Sequence, residues 1–260
     1  MNELNFDGKG IIYDKYRPSY PTEVYDFILQ CFSELGTITV ADIGAGTGKF
    51  AQGFLDRGIK TICVEPNFDM KSVMDAKFRN HKNYVGVIKS AENTGLQANS
   101  VDCITVAQAF HWFDTELFRE ECLRILKDTG KVFLIWNVKD ETDCAIKELG
   151  DINRRYCAKF KGFSGGVTRL KDMQFDDFYK GSVVSCKIFQ NNTLYATEKG
   201  FIGHCLSTSY ALTVSDGDYD AYIQELTAFY NKYKSKEGLF FKNNTNIYFG
   251  EIKCGKNVER

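Results

Sequence analysis

The sequence predicts an open, doubly wound α/β fold on a mostly parallel sheet, and three observations carry that reading. The strand candidates are short, continuous apolar runs, which suits strands covered on both faces. Amphipathic stripes at helical spacing alternate with them, as crossovers between parallel strands require. A glycine-rich segment, residues 42–48, then falls between the first strand and the next helix.

The elements follow in order. After the Tyr20-Pro21-Thr22 turn, Val24, Phe27, Ile28, Cys31 and Phe32 repeat at helical spacing until Gly36. A β-rich run at 38–43 leads into the glycine segment, and Phe50, Ala51, Phe54 and Leu55 then share one helical face ending near Gly58. A second strand at 61–64 ends in Glu65-Pro66-Asn67 and opens a helix carrying Met70, Val73, Met74 and Phe78. Strands three and four are expected at 84–88 and 101–107. A helix with Phe118, Cys122, Ile125 and Leu126 separates them from a fifth at 130–137.

From Asp140 to Lys180 the pattern weakens. A helix through Ile146, Leu149, Ile152 and Tyr156 runs into a flexible loop, Gly162-Phe163-Ser164-Gly165-Gly166. A strand at 183–195, a helix near 201–206, a stripe from Tyr219 to Tyr233 and a closing strand at 246–253 follow, giving seven strands. The expected organisation is one domain. Its cofactor-binding core is 1–137, a helical insertion and helices on the acceptor side occupy 138–245, and the closing strand lies in 246–260.

With 33 basic and 34 acidic residues the net charge is -1, so no excess of cations is available to neutralise a nucleic-acid backbone. Nine cysteines, odd in number and without a CxxC pair, argue against a disulfide framework or a zinc site and for a reducing compartment. The start, MNELNFDGKG, has neither the basic nor the apolar region of a signal peptide, and no apolar run approaches the ~20 residues that span a bilayer. The expectation is a cytoplasmic protein acting on a small molecule, without nucleic acid, membrane or metal, and of undetermined oligomeric state.

The glycine segment reads Asp42-Ile43-Gly44-Ala45-Gly46-Thr47-Gly48. Alternating glycines there let backbone approach a ligand and aim helix N–H groups at it. A phosphate-binding loop, GxxxxGK[ST], fails because Ile43 stands where its first glycine belongs and Phe50 follows Lys49. A dinucleotide fingerprint, GxGxxG, would need glycine at Lys49, which weakens a nicotinamide cofactor without excluding it. Glu65, 19 residues beyond Gly46 at the end of the second strand, can accept hydrogen bonds from both hydroxyls of a ribose. A solvated strand-end carboxylate is the plainer alternative.

Together these segments resemble the class I S-adenosylmethionine-dependent methyltransferases, in particular the trans-aconitate methyltransferase-like branch of the type 11 domain. The resemblance rests on Tyr16-Arg17-Pro18-Ser19-Tyr20-Pro21, DIGAGTGKF, Val64-Glu65-Pro66-Asn67, Ser90-Ala91-Glu92 and Ala107-Gln108-Ala109-Phe110-His111-Trp112-Phe113. It implies that Asp42, Gly44, Ala45, Gly46 and Gly48 cradle the methionine part of S-adenosylmethionine, with Glu65 and Pro66 at the ribose and Met70 on the adenine. Ser90, Ala91 and Glu92 would meet the adenine edge, and Ala107, Gln108, Ala109 and Trp112 would lie beside the sulfonium. Tyr16 and Arg17 would close over the cofactor. The implied activity is methyl transfer to a small acceptor, with a carboxylic acid favoured. A nicotinamide-dependent oxidoreductase and a non-catalytic cofactor-binding protein stay open as alternatives.

His111 is the histidine placed nearest the expected methyl group and is the candidate catalytic residue, since an imidazole suits proton abstraction. A hydrogen bond to a neighbouring loop, or an ordering of Trp112, would explain it as well. An ionised carboxylate acceptor would need no base at all.

Overall fold

The computed structural model describes residues 8–163 and 175–253. Its main sheet has seven strands: β1 (Thr39–Ile43), β2 (Lys60–Val64), β3 (Tyr84–Val87), β4 (Val101–Ala107), β5 (Leu126–Lys139), β6 (Ser185–Gln190) and β9 (Asn243–Gly250). They lie in the order β3-β2-β1-β4-β5-β9-β6. β9 runs antiparallel to both its neighbours, and the other pairings are parallel. Order reverses between β1 and β4, where Val40 pairs with Cys103. The carboxyl ends of those strands therefore open a crevice suited to a ligand.

Burial on both faces explains the continuous apolar strands. Ile104, Val106, Leu134 and Trp136 pack on one face against Phe118, Cys122 and Ile125 of α5 (Thr115–Ile125) and Phe178 of α7 (Phe175–Phe178). The intervening Cys103, Phe133 and Ile135 face the other side, where Val24 and Ile28 of α2 (Thr22–Gln30) and Phe54 of α3 (Ala51–Leu55) cover them. Each such side chain removed from water contributes about 1.5–3 kcal/mol. Met74 and Phe78 of α4 (Phe68–Phe78) pack with Cys63 of β2.

A second apolar cluster lies in the C-terminal half. Ile146 and Leu149 of α6 (Cys144–Tyr156) meet Phe201 of α8 (Glu198–Leu206) and Leu226 and Phe229 of α9 (Tyr219–Tyr233). Inside it the Tyr222 hydroxyl donates to Asn153 Oδ1 at 2.8 Å. A small antiparallel sheet of β7 (Thr193–Tyr195) and β8 (Leu239–Phe241) completes this half.

The expected strand at 183–195 is two strands in two sheets. Asn191 ends β6 because its Nδ2 donates to Ser19 O, Asn137 Oδ1 and Thr245 Oγ1, which turns the chain out of the main sheet. The closing strand spans 243–250 rather than 246–253, and β5 begins at Leu126 rather than Gly130. Of the flexible loop expected at 162–166, residues 164–166 lie outside the described residues. Among the described residues no helix is long and apolar enough to cross a membrane.

Candidate functional site

The glycine segment leaves β1 at the centre of the sheet. Gly44 and Ala45 donate to Val64 O at 2.8 and 3.1 Å, which ties the turn to the end of β2. Gly44, Gly46 and Gly48 take φ of 69°, 58° and 74°, the left-handed region that side chains disfavour. A Cβ added at Gly44 would sit 2.6 Å from that of Ala109, so this glycine is required by packing. A Cβ at Gly46 would meet nothing within 4 Å, so space is open beside it.

Glu65 is buried and faces this loop. Gly46 N–H donates to its Oε2 at 2.8 Å and Asn67 N–H to its Oε1 at 2.9 Å, fixing the carboxylate plane at the strand end. Asn67 in turn caps α4 by accepting from Met70 N–H at 2.9 Å, which places buried Met70 one turn beyond Glu65 and Pro66. Asp42 lies beneath the loop, 1% exposed, and accepts from Thr105 Oγ1 at 2.8 Å. Burial, with a smaller push from the Glu65 charge, raises its carboxyl to about 7.

A short helix, α1 (Gly10–Tyr16), straps this region to the C-terminal half. Gly10 N–H donates to Asp69 on α4, while Asp14 Oδ1 accepts from Thr47 Oγ1 and from Lys77, each at 3.0 Å. At the other side Lys9 Nζ donates to Thr208 O, and the Tyr16 ring lies so close to Gly203 of α8 that a Cβ there would sit 2.6 Å from it. Asp14 and Thr47 escaped the sequence reading, because their meeting needs the tertiary fold.

The ends of β3 and β4 complete the rim. Ser90 bridges to Asn93, Ala91 is buried beside Ile43 and Ala109, and Glu92 accepts from Asp114 N–H at 3.1 Å. Gln108 adopts φ 61° and donates its N–H to Ile135 O, a conformation that turns the chain sharply after Ala107. His111 and Trp112 follow in a single 3-10 turn with their rings 4.8 Å apart. Burial lowers the His111 imidazole to about 4, so it is neutral at pH 7, and its Nδ1 has no hydrogen-bond partner among the described residues.

Beside this rim opens a cavity of about 670 Å³. Arg17, Gln108, His111 and Trp112, all expected at the site, line it, and so do Lys49, Lys139, Lys159 and Lys161. Among its described lining residues are five cations and no carboxylate. Arg17 stacks on the Tyr13 ring at 5.0 Å, and its Nε is buried without a partner among the described residues. The loop glycines and Glu65, just beyond the ends of β1 and β2, and Met70 in the first turn of α4 lie outside the cavity lining. Lys139, Lys159 and Lys161 went unread in the sequence; Lys139, at the carboxyl end of a central strand, occupies a position that could have marked it. Among the described residues no group of three or more histidines, cysteines or carboxylates could hold a metal.

A seven-stranded sheet of this order, with a glycine turn after β1 and a buried acid after β2, defines a Rossmann-like fold of the class I methyltransferase type. The chain belongs to the methyltransferase family. Residues 41–134 match the methyltransferase domain. An uncharacterized methyltransferase of Schizosaccharomyces pombe is 36% identical over 183 residues, covering 66% of this chain and 71% of the relative. An uncharacterized methyltransferase of Mycobacterium tuberculosis is 36% identical over 149 residues, or 57% of this chain; the match spans only 58% of that relative's length. Among solved structures, a candidate type II methyltransferase from Anaeromyxobacter dehalogenans shares the fold with a TM-score of 0.65. It has 18% identity, over 90% of this chain and 97% of its own.

Proposed function

We propose that the chain transfers a methyl group from S-adenosylmethionine to a small carboxylic acid, in the manner of the trans-aconitate methyltransferase-like branch. The cation-lined cavity carries the choice of acceptor. Five cations beside a sulfonium repel a protonated amine and attract an anion, the half-buried Arg17, Lys49 and Lys139 more strongly than the exposed Lys159 and Lys161, which solvent screens.

The residues fit the cofactor. Open space at Gly46 admits a ligand against backbone, and Glu65 is held by two N–H donors in an orientation that suits vicinal ribose hydroxyls. S-adenosylmethionine supplies an electrophilic methyl carbon when bound. Gln108 and Trp112 wall the cavity on the side of the β4 end, and Arg17 and Lys49 extend the positive lining towards the strap and the glycine loop. An acid is already ionised at pH 7, so positioning in line with the methyl group supplies much of the rate and no base is needed.

The test is a screen of carboxylic acids, phenols and amines for release of S-adenosylhomocysteine. Turnover confined to acids is the expected outcome. Turnover of a phenol or amine alone would remove the acid reading while leaving the methyl donor in place.

A further inference from the structure

We propose that Lys139 is the residue that holds the acceptor's carboxylate, and so sets the preference for an acid. This rests on the acid-acceptor reading above. Lys139 is the last residue of β5 and lines the cavity at the carboxyl end of the sheet. Its ammonium lies 4.8 Å from the Phe241 ring centroid and 5.6 Å from that of Phe163.

Several other lysines of the fold end on carboxylates. Lys71 reaches Asp75, Lys77 reaches Asp14, Lys127 reaches Asp102 and Lys232 reaches Glu148. Lys139 has no such partner among the described residues. Lys139 is half-buried, and two ring faces attract its ammonium more weakly than an opposite full charge would. A ligand carboxylate would supply what the protein does not.

The groups that face Lys139 leave it the anion's natural partner. Arg17 is cationic and adds attraction for an acid. His204 on α8 is held neutral by its own burial and by Lys139, and burial pushes the Cys205 thiol up to about 12, so neither neutralises the lysine. Burial, with Arg17 adding to it, also lowers the Lys139 ammonium to about 8. A cation with that environment loses its charge just above neutrality unless an anion retains it.

The rings could equally serve packing, as a brace between β5 and the C-terminal half. Lys139→Met keeps length and apolar contact and removes only charge, whereas Lys139→Arg keeps charge. Acetate, succinate and citrate, titrated calorimetrically into protein saturated with S-adenosylhomocysteine, serve as probes. The acid that turns over best in the screen provides KM and kcat. Lys139→Met is expected to weaken acid binding and raise KM about ten- to a hundredfold, with kcat falling less. Lys139→Arg should restore most of the affinity.

In the wild type kcat/KM should fall as pH rises through about 8, and Lys139→Arg should remove that fall. A Met variant that binds and turns over acids like the wild type would overturn the assignment and leave the acid reading intact. A wild type that binds none of the three probes and turns over no acid would overturn both.

Discussion

Two residues of the site test how the chemistry is divided between holding and reacting. Glu65 is oriented by Gly46 and Asn67, so its replacement by alanine removes a charged acceptor and loosens the loop that faces it. The expected loss of S-adenosylmethionine affinity is about 1.5–3 kcal/mol, and calorimetry giving wild-type affinity would take Glu65 out of the site. His111 tests the reacting side. An imidazole brought down to about 4 is a weak base, and an ionised acid has no proton to give. His111→Gln should therefore reduce turnover less than about tenfold with the wild type's pH profile retained. If turnover collapses while cofactor affinity stays normal, a hydroxyl or amine acceptor replaces the acid.

At the scale of elements the β1 turn separates two roles that one glycine-rich motif hides. A Cβ at Gly46 meets no protein atom within 4 Å, so Gly46→Val should fold with a backbone cost of at least roughly 1–2 kcal/mol yet abolish cofactor binding. Valine at Gly44 collides with Ala109 and Phe113, so it should lower the melting temperature before binding is even asked about. Melting and calorimetric titration of the two variants compare them directly. A folded Gly46→Val that binds normally would overturn the role of the loop.

The same scale shows what the sequence made legible. β4 was readable to its ends because both faces are covered and every residue but the last, Ala107, is buried. The start of β5 was hidden, since Lys127-Asp128-Thr129-Gly130 has the composition of a turn and joins the sheet only through an irregular pairing of Leu126 with Val101. The break at Asn191 depends on Ser19, Asn137 and Thr245, partners 172, 54 and 54 residues away. Glycine loop and Glu65 were legible because their spacing is local. The cations of the cavity were not, because which lysines turn inward among 33 basic residues is decided by tertiary packing alone.

Over the whole molecule a net charge of -1 conceals local separation of charge: five of the 33 basic residues line one cavity, while the carboxylates of Asp42 and Glu65 are buried at the sheet centre. Stability should report the buried acid. Asp42 titrates near 7 in the folded chain against about 3.9 when unfolded, so between those values the folded state holds a proton that the unfolded state has released. Its contribution is therefore fully present below about pH 4 and is lost as pH rises through about 7.

His111 and His204 act in the opposite sense, since burial lowers both and the unfolded state takes up their protons first as pH falls below about 6.5. The wild-type curve mixes these effects, and Asp42→Asn separates them by removing one titration and leaving the other two. The difference in stability between variant and wild type should shift in the variant's favour from pH 5 to pH 8, by on the order of 2–4 kcal/mol. Asparagine keeps an amide oxygen to accept from Thr105 Oγ1, so that bond does not imitate the slope. Calorimetric melting across the range measures it, and a difference that stays flat would mean that Asp42 ionises like an exposed acid despite its burial.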